Sequence, residues 1–145
     1  QIKGIDSTLR KTTAKLGADA KLVIKESLMT HGKQKAKTDF TVDLDGEGSS
    51  ANVISRSVAK DESYQAFVSI INGNNKCAGH TECDAIIMDK AKVCAIPQIT
   101  ANHIDASLIH EAAIGKIAGE QLIKLMSLGL TEQEAEEEII NGFLK

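Results

Sequence analysis

Polar and apolar positions alternate most clearly from Thr38 to Asp45. Phe40, Val42 and Leu44 fall on one side, and Asp39, Thr41, Asp43 and Asp45 on the other. A period of two is that of a half-buried strand, and Gly46-Glu47-Gly48 ends it. Lys21 to Lys25 carries a weaker alternation through Leu22 and Ile24. Strand-like runs follow at Asn52 to Val58, Tyr64 to Ile71, Asp84 to Met88 and Ala91 to Ile96, punctuated by Gly73, Gly79 and Pro97. Short strands and frequent turns, with no helical pattern between them, predict a sandwich, a barrel or a β-solenoid. The many Ser, Ala, Gly and Asn residues suit the tight corners of a solenoid, although no strict repeat is visible.

The pattern changes near residue 105, dividing a β core over 1–104 from a helical region over 105–145. From Ser107 to Leu128, Ala113, Ile114, Ile117, Ala118, Leu122, Leu125 and Met126 trace one apolar helical face. Asp105 or Ser107 is placed to cap its start, and Gly129 to stop it. Gly115 and Gly119 inside this helix cost ~1 kcal/mol each relative to Ala, which suggests close packing against another element. A second helix starts at Thr131, where Thr131 and Glu134 have capping-box spacing. Ala135, Ile139, Ile140 and Phe143 form its buried face, and Glu136-Glu137-Glu138 its solvated one.

With one Tyr, three Phe and no Trp, the core is expected to be aliphatic. A formal charge of −3 argues against a nucleic-acid binder. No apolar run is long enough to cross a bilayer, and the start does not resemble a signal peptide. The chain begins at Gln1 rather than Met and reads as a segment of a longer protein. Its three cysteines, Cys77, Cys83 and Cys94, lack zinc-site spacing. An unpaired set without a signal predicts a reducing, cytoplasmic compartment.

Three groups of residues have chemical potential. His80-Thr81-Glu82-Cys83-Asp84 puts imidazole, carboxylates and thiol together at the expected start of a strand. Cys94 sits in the next strand. Asp105 and His110-Glu111 lie at the expected start of the long helix, near free amide donors. A Cys with a distant His suits a nucleophile and base; thiolate with imidazole and carboxylate equally suits a metal. The alternation sets Cys83 beside Ala85 and Ile87, and Cys94 beside Lys92 and Ile96, where each thiol would be a plain structural residue. Cys77 reads as an exposed loop thiol, and His31 and His103 as surface residues. No GxxxxGK[ST] phosphate loop occurs, so ATP hydrolysis by this chain is not expected.

An ordered series of segments resembles the SufB/SufD family of iron–sulfur cluster assembly scaffolds. It runs through Asn52-Val53-Ile54-Ser55-Arg56-Ser57-Val58, Gly79-His80-Thr81-Glu82-Cys83-Asp84 and Ala95-Ile96-Pro97-Gln98-Ile99. It continues with His110-Glu111-Ala112, Ile114-Gly115-Lys116-Ile117 and Glu120-Gln121-Leu122, then Ser127 to Ala135 and Asn141 to Leu144. The resemblance implies a right-handed parallel β-helix followed by a small helical region, here as the carboxy-terminal core of a longer chain. It implies a scaffold that is not itself an enzyme. Sulfur and iron would be received at a subunit interface, as a transient iron–sulfur cluster. Cys83 matches a SufB-type position needed for assembly, Glu111 a glutamate of the His-Glu-Ala motif, and His110 a SufD-type histidine, so these three are the expected cluster or metal ligands. The implied partners are a SufC-like ABC ATPase docked on the carboxy-terminal helices, a SufB- or SufD-like subunit or a second copy, and a sulfur donor protein. Leu128-Gly129 stands where Arg-Gly is usual.

Two other readings are compatible with these residues. One is an architectural SufD-like subunit without cluster ligands of its own. The other is a thiol hydrolase or transferase using Cys83 and His110.

Overall fold

The computed structural model describes residues 4–145. Eight strands follow one another along the chain: β1 (Ser7–Leu16), β2 (Lys21–Thr30), β3 (Lys35–Leu44), β4 (Ser50–Ala59), β5 (Tyr64–Gly73), β6 (Cys77–Ile87), β7 (Lys92–Ala101) and β8 (Ala106–Gly115). Odd strands form one sheet in the order β1-β3-β5-β7, and even strands a second, β2-β4-β6-β8. Every pairing is parallel. The chain therefore winds as a parallel β-solenoid, one strand per sheet in each coil. A coil takes 28 or 29 residues, as in Ser7 opposite Lys35 and Lys35 opposite Tyr64.

This is the expected solenoid, with its repeat hidden because stacked positions carry different side chains. One inward row of the even sheet reads Glu26, Ser55, Cys83, Ala112. The clearest predicted alternation holds: Phe40, Val42 and Leu44 are buried and the intervening residues partly exposed. The core is mainly aliphatic, with Leu16, Val42, Leu44, Val53 and Ile71, but it also takes two of the three phenylalanines. Phe40 and Phe67 meet edge to face at 5.9 Å between centroids.

Corners repeat their chemistry from coil to coil. At one, Gly32, Asp61 and Asp89 stack in the left-handed region, with φ of 59°, 60° and 55°. The Gly32 amide donates to Asp61 Oδ2 at 2.6 Å, and the Asp61 amide to Asp89 Oδ2 at 3.2 Å. Aspartate tolerates this backbone better than most residues and here caps the coil before it. At the other corner, Asn102 donates to Asn74, and Asn74 to Asp45, both at 2.7 Å.

Two expectations are corrected. The helix expected from Ser107 is a strand as far as Gly115: β8 pairs with β6 along its length, which satisfies its backbone without a helix. Helix α1 spans only Gly119–Ser127, so Gly115 and Gly119 lie outside any helix interior, and neither Asp105 nor Ser107 caps one. Gly79 and Pro97, expected as punctuation, lie inside β6 and β7. The other end of α1 behaves as expected, stopping before Gly129 at φ 101°. Helix α2 (Glu132–Leu144) carries the full capping box of Thr131 and Glu134. Ala135 and Ile140 are buried on α2, whose Leu144 carbonyl accepts from the Ser27 hydroxyl of β2 at 2.9 Å. No helix among the described residues is long and apolar enough to cross a membrane.

Candidate functional site

Strands β6 and β8 carry Cys83, His110 and Glu111, and strand parity decides where each one points. On β6 the inward row is Gly79, Thr81, Cys83 and Ala85; His80, Glu82 and Asp84 face outward. The register sets Gly79 against Leu108, Thr81 against His110 and Cys83 against Ala112. Leu108 packs on the core, so His110, two positions further along β8, shares its inward face. Glu111 faces out.

The structure thus brings Cys83 and His110 onto the same interior face of neighbouring strands. Cys83 is 1% exposed, and burial, reinforced by the charges of Asp84 and Glu26, pushes its thiol up to about 11. It is a protonated thiol at neutral pH, not a ready nucleophile. His110 Nδ1 is buried with no hydrogen-bond partner. Buried polar atoms normally have a partner, so this ring nitrogen, on the interior face it shares with Cys83, is an exception.

Glu111 is not part of that cluster. It lies across the ladder from Glu82, with its Oε2 3.5 Å from His80 Nε2. One ligand atom from each of His80, Glu82 and Glu111 lies within 4.8 Å of the others. His80 Nδ1 meets Asn52 Oδ1 on β4 at 2.9 Å. Glu82 is also 3.9 Å from Arg56. A hydrogen bond with Asp84 raises the Glu82 carboxyl above its ordinary range; burial and the Asp84 charge add to this, against Arg56 and His80. Carboxylates are crowded on this outer face. The sequence singles out His80 and Glu82 but does not join them to Asn52 or Glu111. The signal was present: alternation separates His80 and Glu82 from Cys83, and one coil of 29 residues carries Glu82 to Glu111.

The remaining candidates lie elsewhere. Cys94 is half-buried on β7 and free, as are the other two cysteines. Cys77 is not a loop thiol: it opens β6 and is buried in the core at 6% exposure, because the inward row begins there. Asp105 sits at an exposed corner, where its amide donates to His103 Nδ1 at 3.1 Å. Inside the first coils, Glu26 is held by Arg10 and accepts from Thr38 and Ser55, each at 2.8 Å.

Residues 3–143 match the family described as SUF system FeS cluster assembly, SufBD core domain. The chain belongs to this family. It is 37% identical over 142 residues to an iron-sulfur cluster assembly SufBD family protein of Pyrococcus horikoshii, an alignment covering 93% of this chain and 44% of that protein. A SufBD family protein of Methanothermobacter thermautotrophicus is 40% identical over 103 residues, covering 70% of this chain and 25% of the relative. The iron-sulfur cluster assembly protein SufB of Bacillus subtilis is 36% identical over 100 residues, covering 66% and 22%. The chain thus spans less than half the length of these relatives. The SufBD assignment agrees with the resemblance carried by the Cys83 and His110-Glu111 segments, and with the parallel β-solenoid that holds them.

Proposed function

We propose that this chain forms the core of a scaffold subunit for iron–sulfur cluster assembly, with Cys83 as the acceptor of sulfur and His110 as its neighbouring ligand. The observation that supports this most directly is the pairing of a buried thiol with an unpartnered imidazole nitrogen on adjacent inward positions of a SufBD core. A thiolate accepts persulfide sulfur and ligates iron. One thiolate with an imidazole is a weaker and more exchangeable set than four cysteines, as a scaffold that must release its cluster requires.

Burial makes the reaction conditional. Cys83 has to gain access and lose its proton, which calls for movement of the last coil. A SufC-like ABC ATPase acting through the carboxy-terminal helices is the partner suited to drive it. α1 and its C-cap offer Ile123, Met126 and Leu128, which are 68%, 42% and 75% exposed, as a docking face. A paired subunit, either a second copy or a SufB- or SufD-like chain, would cover the last coil, where Ile96, Ile99, Ile109 and Ile114 are exposed. The test is anaerobic cluster reconstitution of the protein with its ATPase partner, comparing wild type with Cys83→Ser by visible absorption and iron content. Loss of the chromophore with folding intact supports the reading. An unchanged chromophore removes Cys83 from the mechanism and leaves an architectural subunit.

A further inference from the structure

We propose that His80, Glu82 and Glu111 form a binding site for a divalent first-row metal ion, iron(II) in the cell, on the outer face of the β6–β8 ladder, separated from Cys83 by the thickness of the sheet. The metal's identity rests on the scaffold reading; the site itself rests on the geometry.

The first argument is the orientation of His80. Its Nδ1 lies 2.9 Å from Asn52 Oδ1, an acceptor, so Nδ1 carries the proton and donates it. Nε2, the other ring nitrogen, faces Glu111 Oε2 at 3.5 Å. A metal ion or a proton on the ring joins such a pair, and titration with metal tells the two apart. A histidine whose second nitrogen is fixed by a side-chain carbonyl is how proteins orient an imidazole toward a metal. Donors on one tetrahedral ion at ~2.0–2.1 Å sit roughly 3.3 Å apart, close to the spacing already present.

The second argument is charge. The carboxyl groups of Glu82, Asp84 and Glu111 gather on this outer face. Arg56, 3.9 Å from Glu82, offsets only part of that charge. The third is the donor set. One imidazole and two carboxylates without sulfur favour borderline-to-hard divalent ions over copper(I), and the open outer face leaves coordination positions for water or an incoming ligand.

Such a site divides the scaffold's work between the two faces of one ladder. Sulfur is accepted at the inward Cys83, and iron is held outside until the last coil moves. Neither arm of the cluster is then exposed to the other prematurely.

The experiment is anaerobic titration of the protein with cobalt(II), and separately with iron(II), without sulfide or ATPase, by calorimetry and visible absorption. One equivalent is expected to bind with the weak d–d bands of nitrogen and oxygen ligation. Affinity should fall at least ten-fold in His80→Gln and in Glu111→Gln, and by a smaller factor in Asn52→Ala, with Cys94→Ser unchanged. Glu111 is exposed, so its variant tests the site without disturbing folding. Unchanged affinity in both His80→Gln and Glu111→Gln would overturn the proposal, as would an intense thiolate-to-cobalt band that disappears in Cys83→Ser. Because the readout needs no sulfur chemistry, a Cys83-independent cluster would remove Cys83 from the mechanism and leave this site standing.

Discussion

Cys83 and Glu111 sit on adjacent parallel strands, one position out of register, and project to opposite faces of the sheet: Cys83 pairs with Ala112 and Glu111 with Glu82. The single-residue offset keeps a thiol and a carboxylate that are neighbours along the ladder from sharing one ligand. Any chemistry that uses both must either move the last coil or bring the two together through a partner subunit.

The three thiols should differ sharply in reactivity. Cys83 is 1% exposed and its pKa is pushed up to about 11 from an ordinary 9.0, so its thiolate fraction at neutral pH falls by about 100-fold. Cys77 is buried as well, whereas Cys94 is half-buried on the last coil. Alkylation with iodoacetamide at pH 7.5, followed by peptide mass spectrometry, should modify Cys94 first and leave Cys83 almost untouched. The folded state keeps a proton that the unfolded chain releases above pH 9. The Cys83 contribution to stability is therefore complete below that value and lost as pH rises toward 11. Fast labelling of Cys83 in the native protein would contradict the buried geometry.

The proposed docking of an ABC ATPase on the carboxy-terminal helices can be tested at the exposed face of α1. Ile123 and Met126 of α1 and Leu128 at its C-cap are exposed, while α2 buries Ala135 and Ile140. Leu128→Glu places a charge in that face without touching the core. It should weaken co-purification with the ATPase by at least ten-fold and leave the melting temperature within about 2 °C of wild type, as surface substitutions generally do. Retained binding would place the ATPase contact elsewhere.

Much of the fold is legible from sequence, for local reasons. The strand from Thr38 shows its two faces because apolar residues fill one of them, and the α2 cap is readable because Thr131 and Glu134 meet with only backbone help. β1 escaped notice because its inward positions include Thr8, Arg10 and Thr12, which leave no apolar alternation to see. β8 read as a helix because Ala113, Ile114, Ile117 and Ala118 run into the real helical stripe; pairing with β6, a long-range interaction, overrides that local pattern. The same reading set His110-Glu111 at the start of a helix. Once His110-Glu111 is placed on a strand, parity alone separates the two residues and sends Glu111 to His80 rather than to Cys83.

Gly46 is a corner position where no side chain fits. A Cβ there would lie 2.0 Å from the Ala18 amide nitrogen and 2.1 Å from the Gly17 carbonyl carbon, both backbone atoms that cannot rotate away. Its amide also donates to the Leu16 carbonyl at 3.0 Å, holding successive coils together. Gly46→Ala should therefore cost on the order of 3 kcal/mol, near the upper end for single substitutions. Gly142→Ala, where a Cβ meets nothing within 4 Å, serves as a near-neutral control. Urea denaturation of the two variants measures the difference, and equal midpoints would rule out the tight corner.

Glu26 links stability to the chemistry of the thiol. Its carboxylate is buried, paired with Arg10 and satisfied by the hydroxyls of Thr38 and Ser55, and its row leads through Ser55 to Cys83. Glu26→Ala leaves two hydroxyls and a guanidinium without their acceptor and should destabilise the protein by roughly 2–4 kcal/mol. Glu26→Gln keeps an acceptor and most of the shape, so it should cost less. It also removes a negative charge that helps hold the Cys83 proton, the least of three causes after burial and Asp84. The Cys83 thiol should therefore titrate slightly lower in Glu26→Gln and alkylate modestly faster at pH 9. An Asp84→Asn variant should shift it further. A Cys83 titration insensitive to both changes would mean that burial alone sets the reactivity of this thiol.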